Sequence, residues 1–421
     1  MKYLYFCIAV ASMFCLPVAA QTASDFYDDS VVQDLYLDIH PNDWSNLRMN
    51  FQDNTYYPAE LQWRDIRITD IGVRSRGRSS RSPLKPNLRI DFDRFEEKQK
   101  FLGLKSTMLK ANNADASMMR ERLTMRLFER LEMPAPRETY ARLFINGEFF
   151  GLYNLVESID KSFLERVFKE DSGYLYEWEP ALAGYRFEYL GEDPAIYSPV
   201  MFDPVTHEKD PDPRPIVDMV RAINQSSDAE LVNAISPFLD LRTFVKHIAV
   251  QAYMAEYDGV LGDHGMNNFH VYRFAGASLH TLMPWDADLT FIHIERDLLQ
   301  NVEQNVLARK LLNVPEYRNL FLETVARAAE IMGGPGGLME ETINRFQSQI
   351  QDIARADPYK QCAVAGEMRS CGAAEFDADV EYVRSFAQQR KDFVVGQLHA
   401  LGYSLPAGAG VLAGSRFSGR K

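Results

Sequence analysis

The chain has 421 residues, of which 46% are hydrophobic and 12% aromatic, and this composition excludes a fibrous or wholly disordered protein. Its formal net charge of -13 at pH 7 argues against nucleic acid as the main partner, because binding a phosphate backbone needs a basic surface. A site for a single nucleotide is compatible with this charge, since such a site needs only local positive charge.

The first twenty residues predict a secretory signal peptide. Lys2 precedes an almost wholly apolar run at residues 4–16, and small residues lead up to Ala20. The run is too short to span a bilayer, and no later stretch is long and apolar enough for a membrane helix. We therefore expect cleavage near Ala20 and an exported protein without a membrane span, which is secreted, periplasmic or held at the cell surface.

The next part of the chain is rich in predicted strands. Alternation of apolar and polar residues predicts them at residues 32–40, 66–68, 71–77 and 87–92. Their connections are short, which favours an antiparallel sheet.

A helix and a hairpin follow. Asp115 is placed to cap a helix over residues 118–131, where apolar residues recur with a period near 3.6. Asn146-Gly147 separates two alternating segments and predicts a hairpin of residues 140–145 and 149–156. A second helix is expected at residues 160–167.

The second half of the chain is predominantly helical. Residues 177–215 are rich in Pro, Gly, Asp and Tyr and predict an irregular insertion. Periodicity then predicts helices within residues 216–223, 228–235, 241–257, 305–355 and 375–401, with a hairpin of residues 271–273 and 279–284 between them. The predicted fold class is α+β, with a strand-rich N-terminal part at 21–176, the insertion, a helix-rich part at 216–403 and a flexible basic tail at 404–421.

Cysteine usage fits export. Cys7 and Cys15 leave with the signal peptide, so Cys362 and Cys371 remain, nine residues apart. Two remaining cysteines in an exported chain predict one local disulfide. Zinc binding is poorly supported, because the neighbouring sequence offers no further Cys or His at ligand spacing.

A basic Gly/Ser segment at residues 76–85 is the first candidate site. Cations are dense around it: Arg74, Arg76, Arg78, Arg81, Lys85 and Arg89. A loop of this kind offers backbone N–H groups and cations to phosphates, with Arg76 and Ser79 at its centre and Lys85 before the next strand. It contains neither a Gly-x-Gly-x-x-Gly nor a Walker sequence, so a solvated basic hairpin is the alternative.

Two carboxylates in an apolar segment are the second candidate site. Asp286 and Asp288 lie two residues apart within residues 283–291 and would project from one face of an extended segment. Paired hard oxygen ligands suit Mg²⁺, which takes one or two carboxylates plus substrate phosphates. The alternative is a strand end whose acids are solvated or cap a turn. We favour the metal site, with Asp286 as the main ligand and Asp288 as its helper.

The order of acids and amides along the chain supports this interpretation. Asp258 precedes Asn268 by ten residues, and Asp286 follows after a hairpin. Protein kinases use the same order for a base, a metal-binding Asn and a metal-binding Asp. Asp263 lies in the same loop as Asp258, so either of them is a candidate for the catalytic acid.

Glu157 adds a further candidate. It ends the predicted hairpin strand and is placed to pair with Lys85, as kinases fix their phosphate-binding lysine with a glutamate. The alternative is an acid that caps the following helix.

Together these segments resemble the spore coat protein H (CotH) kinase family, a group of atypical protein kinase-like proteins, over roughly residues 30–300. The most specific parts are Asn-Gly-x-x-x-Gly-x-Tyr at residues 146–153 and Pro-Trp-Asp-x-Asp at residues 284–288. The resemblance implies an atypical kinase-like fold with two lobes. It also implies that the protein binds ATP and Mg²⁺, with Mn²⁺ as the alternative metal, and phosphorylates Ser or Thr.

The resemblance also implies roles by position. Lys85 would contact the ATP phosphates, and Glu157 would orient it. The remaining roles fall on Asp258 as the catalytic acid–base group, Asn268 as a metal or loop-orienting ligand, and Asp286 as the Mg²⁺ ligand assisted by Asp288.

Three functions are compatible with these residues. The first is an exported protein kinase that transfers the γ-phosphate of ATP to Ser or Thr of a surface or secreted protein. The second is an exported kinase-fold binding or adhesin-like protein without catalytic activity. The third is a metal-dependent phosphoester hydrolase that uses the same acids. We favour the kinase, because a scaffold would not require Lys85, Asp258 and Asp286 together.

Overall fold

A computed structural model describes residues 20–364 and 367–404 of the chain. The predicted signal peptide and basic tail lie outside the described residues, apart from Ala20 and Ser404 at their boundaries. Within the described ranges, no helix combines the length and the apolar character needed to cross a membrane.

The described residues form strands and helices throughout both halves of the chain. In chain order the strands are β1 (Gln33–Ile39), β2 (Tyr57–Trp63), β3 (Ile66–Arg76), β4 (Asn87–Asp91), β5 (Ser106–Lys110), β6 (Glu138–Ile145), β7 (Glu148–Glu157), β8 (Tyr174–Trp178), β9 (Phe202–Pro204), β10 (Phe269–Arg273), β11 (His280–Pro284), β12 (Gln361–Val364) and β13 (Glu367–Ser370). The helices are α1 (Ala23–Phe26), α2 (Pro41–Met49), α3 (Arg120–Arg130), α4 (Lys161–Phe168), α5 (Arg214–Gln225), α6 (Leu231–Ile235), α7 (Leu241–Tyr253), α8 (Val306–Leu312), α9 (Pro315–Met332), α10 (Leu338–Arg355) and α11 (Ala373–Ala400).

In the described part of the chain, β1 to β7 form a closed sheet in the order β1-β2-β3-β4-β5-β7-β6, and parallel pairing of β1 with β6 closes it. Apolar residues alternate along its strands, so every second side chain points inward. The interior is aromatic: Phe26 packs edge-on against Trp63 and Phe101. Burial of this one face holds the sheet together.

The second part of the fold combines a small sheet with helices. Strands β11, β10, β8 and β9 pair in that order, and the helices α3, α5, α7, α9, α10 and α11 contribute to one large apolar core. The predicted α+β fold class is therefore confirmed. Strands β3, β5, β8 and β11 all end beside one cleft, and these ends position the candidate site.

Predicted elements with a clear alternation of apolar residues or a specific turn or capping residue are present in the structure. The hairpin of β6 and β7 turns at Asn146 and Gly147, whose φ angles are +51° and +85°. A two-residue turn with positive φ at both positions is what Asn-Gly favours. Asp160 caps α4 by accepting from Ser162 N and Phe163 N, which confirms the helix predicted there.

Two local predictions are wrong, and one strand was missed. The two strands predicted at 66–68 and 71–77 form a single strand, β3. It contains a bulge at Asp70, whose φ is +57°. Strand β2 was not predicted, although Ala59, Leu61 and Trp63 alternate inward. Asp115 does not directly cap α3; it lies five residues before Arg120, and its carboxylate accepts the Arg120 N–H.

The stretch predicted as an irregular insertion contributes to the core instead. Its first residues complete β8, and β9 lies within it; these strands pair with each other, and β8 also pairs with β10. Between them lie buried side chains that join the large apolar core: Tyr185, Phe187, Tyr197 and Met201. The Pro and Gly content indicated irregular backbone correctly, but it did not indicate that the aromatic residues are buried.

Cys362 and Cys371 form the predicted disulfide, with their Cα atoms 5.8 Å apart. The disulfide fastens the hairpin of β12 and β13. This hairpin contacts the basic Gly/Ser segment, because Ser82 Oγ donates to Gln361 Oε1. It also contacts the loop after β5, where Ala363 N donates to Asn113 O at 2.9 Å.

Replacing both cysteines by serine is expected to lower the melting temperature by a few degrees. Closing a loop of this length removes chain entropy worth about 2–3 kcal/mol from the unfolded state. Calorimetry with and without a reducing agent would measure the effect, and the double-serine variant should be insensitive to the reductant. An unchanged melting temperature in the reduced wild type would contradict a stabilising role for the disulfide.

Candidate functional site

A cleft of about 660 Å³ brings together most of the residues singled out in the sequence. One side is the basic segment after β3, which includes Arg76 and Ser79. The other side consists of the end of β8, the loop before β10 and the segment after β11. The cleft is lined by Asp258, Asn268, Asp286 and Asp288, all of them predicted site residues.

Lys110, the last residue of β5, joins two carboxylates in a small pocket that adjoins this cleft. Its Nζ donates to Asp286 Oδ1 at 2.7 Å and to Glu121 Oε1 at 2.5 Å. Glu121 lies in the first turn of α3 and is 1% exposed. Burial alone would lower the pKa of Lys110, but the carboxylates of Asp286 and Glu121 raise it above its usual value. Lys110 is therefore a fixed cation.

Asp286 and Asp288 follow β11 directly. Asp286 adopts a left-handed backbone with φ +52° and ψ +51°, which turns the chain sharply at the end of the strand. Burial favours the neutral acid, but the Lys110 ammonium holds the pKa of Asp286 below its usual value. The pKa of Asp288 is raised well above its usual value by burial and by the charge of Asp286. The two carboxylates therefore compete for the same positive charge.

Asp258 is held by two amides. Its Oδ2 accepts from Asn267 Nδ2 at 2.9 Å and from Asn268 Nδ2 at 3.2 Å. Burial and the charge of Asp286 raise the pKa of Asp258, while the hydrogen bonds from the amides lower it, and the net shift is upward. A carboxylate oriented by amides and with a raised pKa is suited to accept a proton.

Asp263 takes a different position from Asp258. Its carboxylate accepts from the Arg296 guanidinium and from Asn301 Nδ2, and it does not line the cleft. The Arg296 guanidinium keeps the pKa of Asp263 below its usual value despite burial. Of the two acids left open by the sequence, the geometry favours Asp258 for contact with a ligand.

Arg76 is fixed at the side of the cleft. Its Nη2 lies 2.5 Å from Glu177 Oε1, and its guanidinium lies 4.9 Å from the centre of the Trp285 ring. Lys110 Nζ lies 4.6 Å from the centre of the same ring. The Trp285 ring therefore makes cation–π contacts with both Arg76 and Lys110, and such contacts stabilise each cation. Ser79 lies in the exposed part of the basic segment.

The expectation that Lys85 contacts phosphates is wrong. Its side chain is fully buried and does not line the cleft. Its Nζ donates to Asp357 Oδ2 at 2.6 Å and to Leu152 O at 2.7 Å. Burial lowers the pKa of Lys85, and Asp357 opposes that shift. The lysine of the basic segment therefore ties it to the C-terminal side of α10.

The expected pair of Lys85 with Glu157 is absent from the part of the chain that the structure describes. Glu157 is bound on both sides by guanidinium groups, at 2.6 Å from Arg137 Nη2 and 2.6 Å from Arg166 Nη2. It therefore does not orient Lys85. The Lys–Glu pair beside the cleft is instead Lys110 with Glu121, which sequence reasoning missed. The available signal was a lysine at a strand end followed, eleven residues on, by a glutamate in an amphipathic helix.

The residues of the cleft fit a magnesium ion. Within the described residues there is no cluster of three or more His, Cys, Asp or Glu side chains. Asp286 supplies a carboxylate beside Lys110, and Asp288 supplies a second carboxyl group, whose raised pKa a bound cation would lower again. Asn268 lines the same cleft. Mg²⁺ commonly takes one or two carboxylates and completes its shell with substrate phosphates and water.

Comparisons with known proteins are consistent with this site. A family model described as CotH kinase protein matches residues 73–394, a range that includes the residues lining the cleft other than Asn54. The chain is also similar to "Inner spore coat protein H" of Bacillus subtilis (strain 168). The two are 24% identical over 362 residues, which cover 85% of this chain and 96% of the relative.

Proposed function

Because the chain belongs to the CotH kinase protein family, we propose that it is a protein kinase that transfers the γ-phosphate of ATP to a Ser or Thr hydroxyl. The observation that supports this most is the contact of Lys110 Nζ with both Glu121 and Asp286. A lysine fixed by a helix glutamate beside a metal-binding aspartate is the arrangement by which kinases bind nucleotide phosphates.

The nucleotide is proposed to lie in the cleft beneath the basic segment. Arg76, fixed by Glu177 and Trp285, and the backbone N–H groups near Ser79 face the phosphates. Lys110 exchanges its contact with Asp286 for a phosphate oxygen while Glu121 keeps it in place. Asp286, with Asp288 and Asn268 assisting, would hold Mg²⁺, which would neutralise phosphate charge.

The transfer step requires a proton acceptor, and Asp258 is proposed for that role. The oxygen of the substrate hydroxyl forms a bond to the γ-phosphorus, and the bond from that phosphorus to the β,γ-bridging oxygen breaks. ADP leaves with the electron pair, and the hydroxyl proton passes to Asp258. Asn267 and Asn268 hold the carboxylate in position for this transfer.

The substrate is proposed to be a protein of a surface layer. The relative is by its printed name a protein of the inner spore coat. The Cys362–Cys371 disulfide fits an oxidising compartment outside the cytoplasm. Export through the predicted signal peptide would bring the enzyme to such a layer.

The test is incorporation of labelled γ-phosphate from ATP into protein. Wild-type protein should incorporate label with Mg²⁺ and lose nearly all incorporation with excess EDTA. Asp258→Asn should lower incorporation about 10²-fold or more, because the proton acceptor is lost while the amide contacts are largely kept.

Three outcomes would contradict the proposal. Absence of incorporation together with absence of a nucleotide-induced rise in melting temperature would exclude a kinase. Release of phosphate without incorporation into protein would favour the phosphoester hydrolase. Nucleotide binding without transfer would favour the non-catalytic scaffold.

A further inference from the structure

The basic Gly/Ser segment at residues 76–85 is held in place by the disulfide hairpin of β12 and β13. Ser82 is 2% exposed, and its Oγ donates to Gln361 Oε1 in the hairpin. The same hydroxyl accepts from the backbone N–H groups of Leu84 and Lys85, at 3.0 and 3.4 Å. Gln361 therefore fixes the hydroxyl around which the second half of the segment turns.

Asn113 makes a second connection between the hairpin and the segment. Its Nδ2 donates to Ser80 O at 3.0 Å and to Lys85 O at 3.4 Å. Its backbone oxygen accepts from Ala363 N at 2.9 Å. Because Ser79, which lines the cleft, directly precedes Ser80, the hairpin supports the part of the segment that lies at the cleft.

The hairpin itself depends on its disulfide. Among the described strands, β12 and β13 pair only with each other, and all four residues of β13 are exposed. A two-stranded hairpin of this kind is marginally stable in water. The Cys362–Cys371 bond closes its open end, where Gln361 pairs with Ser370. The disulfide is therefore placed to hold Gln361 against Ser82.

Other contacts hold the segment independently of the hairpin. Lys85 forms its buried ion pair with Asp357, and the Arg81 guanidinium donates to Phe51 O at 3.1 Å and to Asp53 O at 3.0 Å. Loss of the hairpin contacts should therefore loosen the middle of the segment without releasing it from the protein.

We propose that the Cys362–Cys371 disulfide controls the nucleotide site: it holds the basic segment in the position that binds phosphates, and its reduction lowers the affinity for ATP. This inference rests on the proposed function, in which the segment binds the ATP phosphates. A segment that is ordered before binding loses less conformational entropy when phosphates bind, so loosening it weakens binding. Asp258 lies outside the segment, so the transfer step itself should change little.

The reductant is a dithiol. Cys371 is partly exposed and Cys362 is 4% exposed, so we expect attack at Cys371. A thiolate of the reductant forms a bond to Cys371 Sγ, the bond between the two cysteine sulfurs breaks, and Cys362 leaves as a thiolate that takes up a proton. The second thiolate of the reductant then displaces Cys371, which is protonated in turn. Two electrons pass to the protein, and the reductant becomes a cyclic disulfide.

The first experiment measures the segment without any catalytic step. Backbone hydrogen exchange of residues 77–85 is followed by mass spectrometry in the oxidised full chain and after reduction with dithiothreitol, well below the melting temperature. We expect exchange to be about fivefold faster in the reduced protein. Helix α4, whose hydrogen bonds do not involve the hairpin, should exchange equally fast in both forms. Unchanged exchange at residues 77–85, or equal acceleration in α4, would overturn the proposal.

Variants of Gln361 separate its contact with Ser82 from the disulfide. Oxidised Gln361→Ala keeps the disulfide but should exchange at residues 77–85 like the reduced wild type. Gln361→Glu keeps an acceptor oxygen and should restore slow exchange. Arg369→Gln changes an exposed residue of β13 and serves as the matched control, with wild-type exchange expected. Slow exchange in Gln361→Ala would contradict the role of this contact.

The second experiment connects the segment to the nucleotide. The dissociation constant of a non-hydrolysable ATP analogue and kcat for label incorporation are measured in the oxidised and reduced forms. We expect a dissociation constant about fivefold higher after reduction, with kcat at saturating ATP within about twofold. The double variant Cys362→Ser/Cys371→Ser should show the weaker binding with or without dithiothreitol.

The two experiments fail in different ways. Faster exchange at residues 77–85 with an unchanged dissociation constant would overturn the control of ATP affinity, although the kinase would stand. Absence of nucleotide binding in both forms would count against the proposed kinase and against this control together. The exchange rates would then still decide whether the disulfide holds the segment.

Discussion

Asp286→Asn is expected to lower phosphoryl transfer by about 10³-fold while the protein remains folded. The substitution removes the charge of the proposed main metal ligand, and a loss of this size is typical when one group that stabilises transition-state charge is removed. The fold should persist because the asparagine keeps the shape of the side chain and Lys110 keeps its contact with Glu121. The effect should appear in kcat at saturating ATP.

A matched control lies in the same cleft. Asp203→Asn makes the same chemical change at a cleft residue that has no proposed metal or proton role, and it should alter kcat less than about threefold. Asp288→Asn should fall between the two, because Asp288 is proposed to assist. Equal losses in Asp286→Asn and Asp203→Asn would contradict the assignment, since general charge in the cleft would then matter rather than one ligand.

Most of the cleft residues that the sequence predicted lie at strand ends or in loops. Asn268 directly precedes β10 and Asp286 closely follows β11, whereas Asp258 lies earlier in the loop between α7 and β10. Because β10 and β11 form a hairpin, residues at its open end meet in space whatever the rest of the chain does. Short-range pairing was therefore enough to predict that Asn268 and Asp286 lie together, and hydrogen bonds from Asn267 and Asn268 hold Asp258 beside them.

Short-range pairing could not identify the lysine of the cleft. Lys85 stands in a basic Gly/Ser segment, which favoured phosphate binding, but its partner Asp357 is 272 residues away. No local pattern predicts such a pairing. Lys110 gave a weak local signal because it ends a strand that is buried along its whole length, and its role depends on α3 and β11 approaching the same strand end.

The fold was predictable to a similar degree. Alternation identified β1 and β4, and the Asn-Gly turn fixed the hairpin of β6 and β7. The sequence predicted a short connection at residues 69–70 where the structure has a bulge at Asp70. The aromatic residues of the stretch between β8 and β9 are buried by helices that come later in the chain, so their burial had no local signature.

Lys85→Met is expected to lower the free energy of unfolding by about 3–5 kcal/mol. The ion pair of Lys85 with Asp357 is completely buried, with both side chains 0% exposed. Removing the lysine leaves a buried carboxylate whose remaining hydrogen-bond partners, within the described residues, are the backbone N–H groups of Leu152 and Tyr359. Breaking a buried pair is costly because the remaining charge stays out of water. Urea unfolding would measure the change.

Substituting the other partner of the ion pair should lower the free energy of unfolding further. Asp357→Ala leaves a buried ammonium whose remaining partner is Leu152 O, and it also frees two backbone N–H groups. The double variant should be less unstable than the sum of the two single variants, since no lone charge remains. Lys105→Met is the control, because Lys105 is half exposed and 3.7 Å from Asp93, so its loss should cost less than about 1 kcal/mol.

Substitution of Lys85 also tests whether Lys85 or Lys110 contacts the ATP phosphates. If Lys85 contacted ATP, Lys85→Met would raise the KM for ATP and leave the unfolding transition unchanged. The buried ion pair instead predicts a lower unfolding midpoint, with a KM close to wild type in the fraction that stays folded. Lys110→Met should show the opposite pattern, with a large loss of transfer, because its partners Asp286 and Glu121 lie at the cleft. A KM effect in Lys85→Met without destabilisation would return the phosphate contact to Lys85.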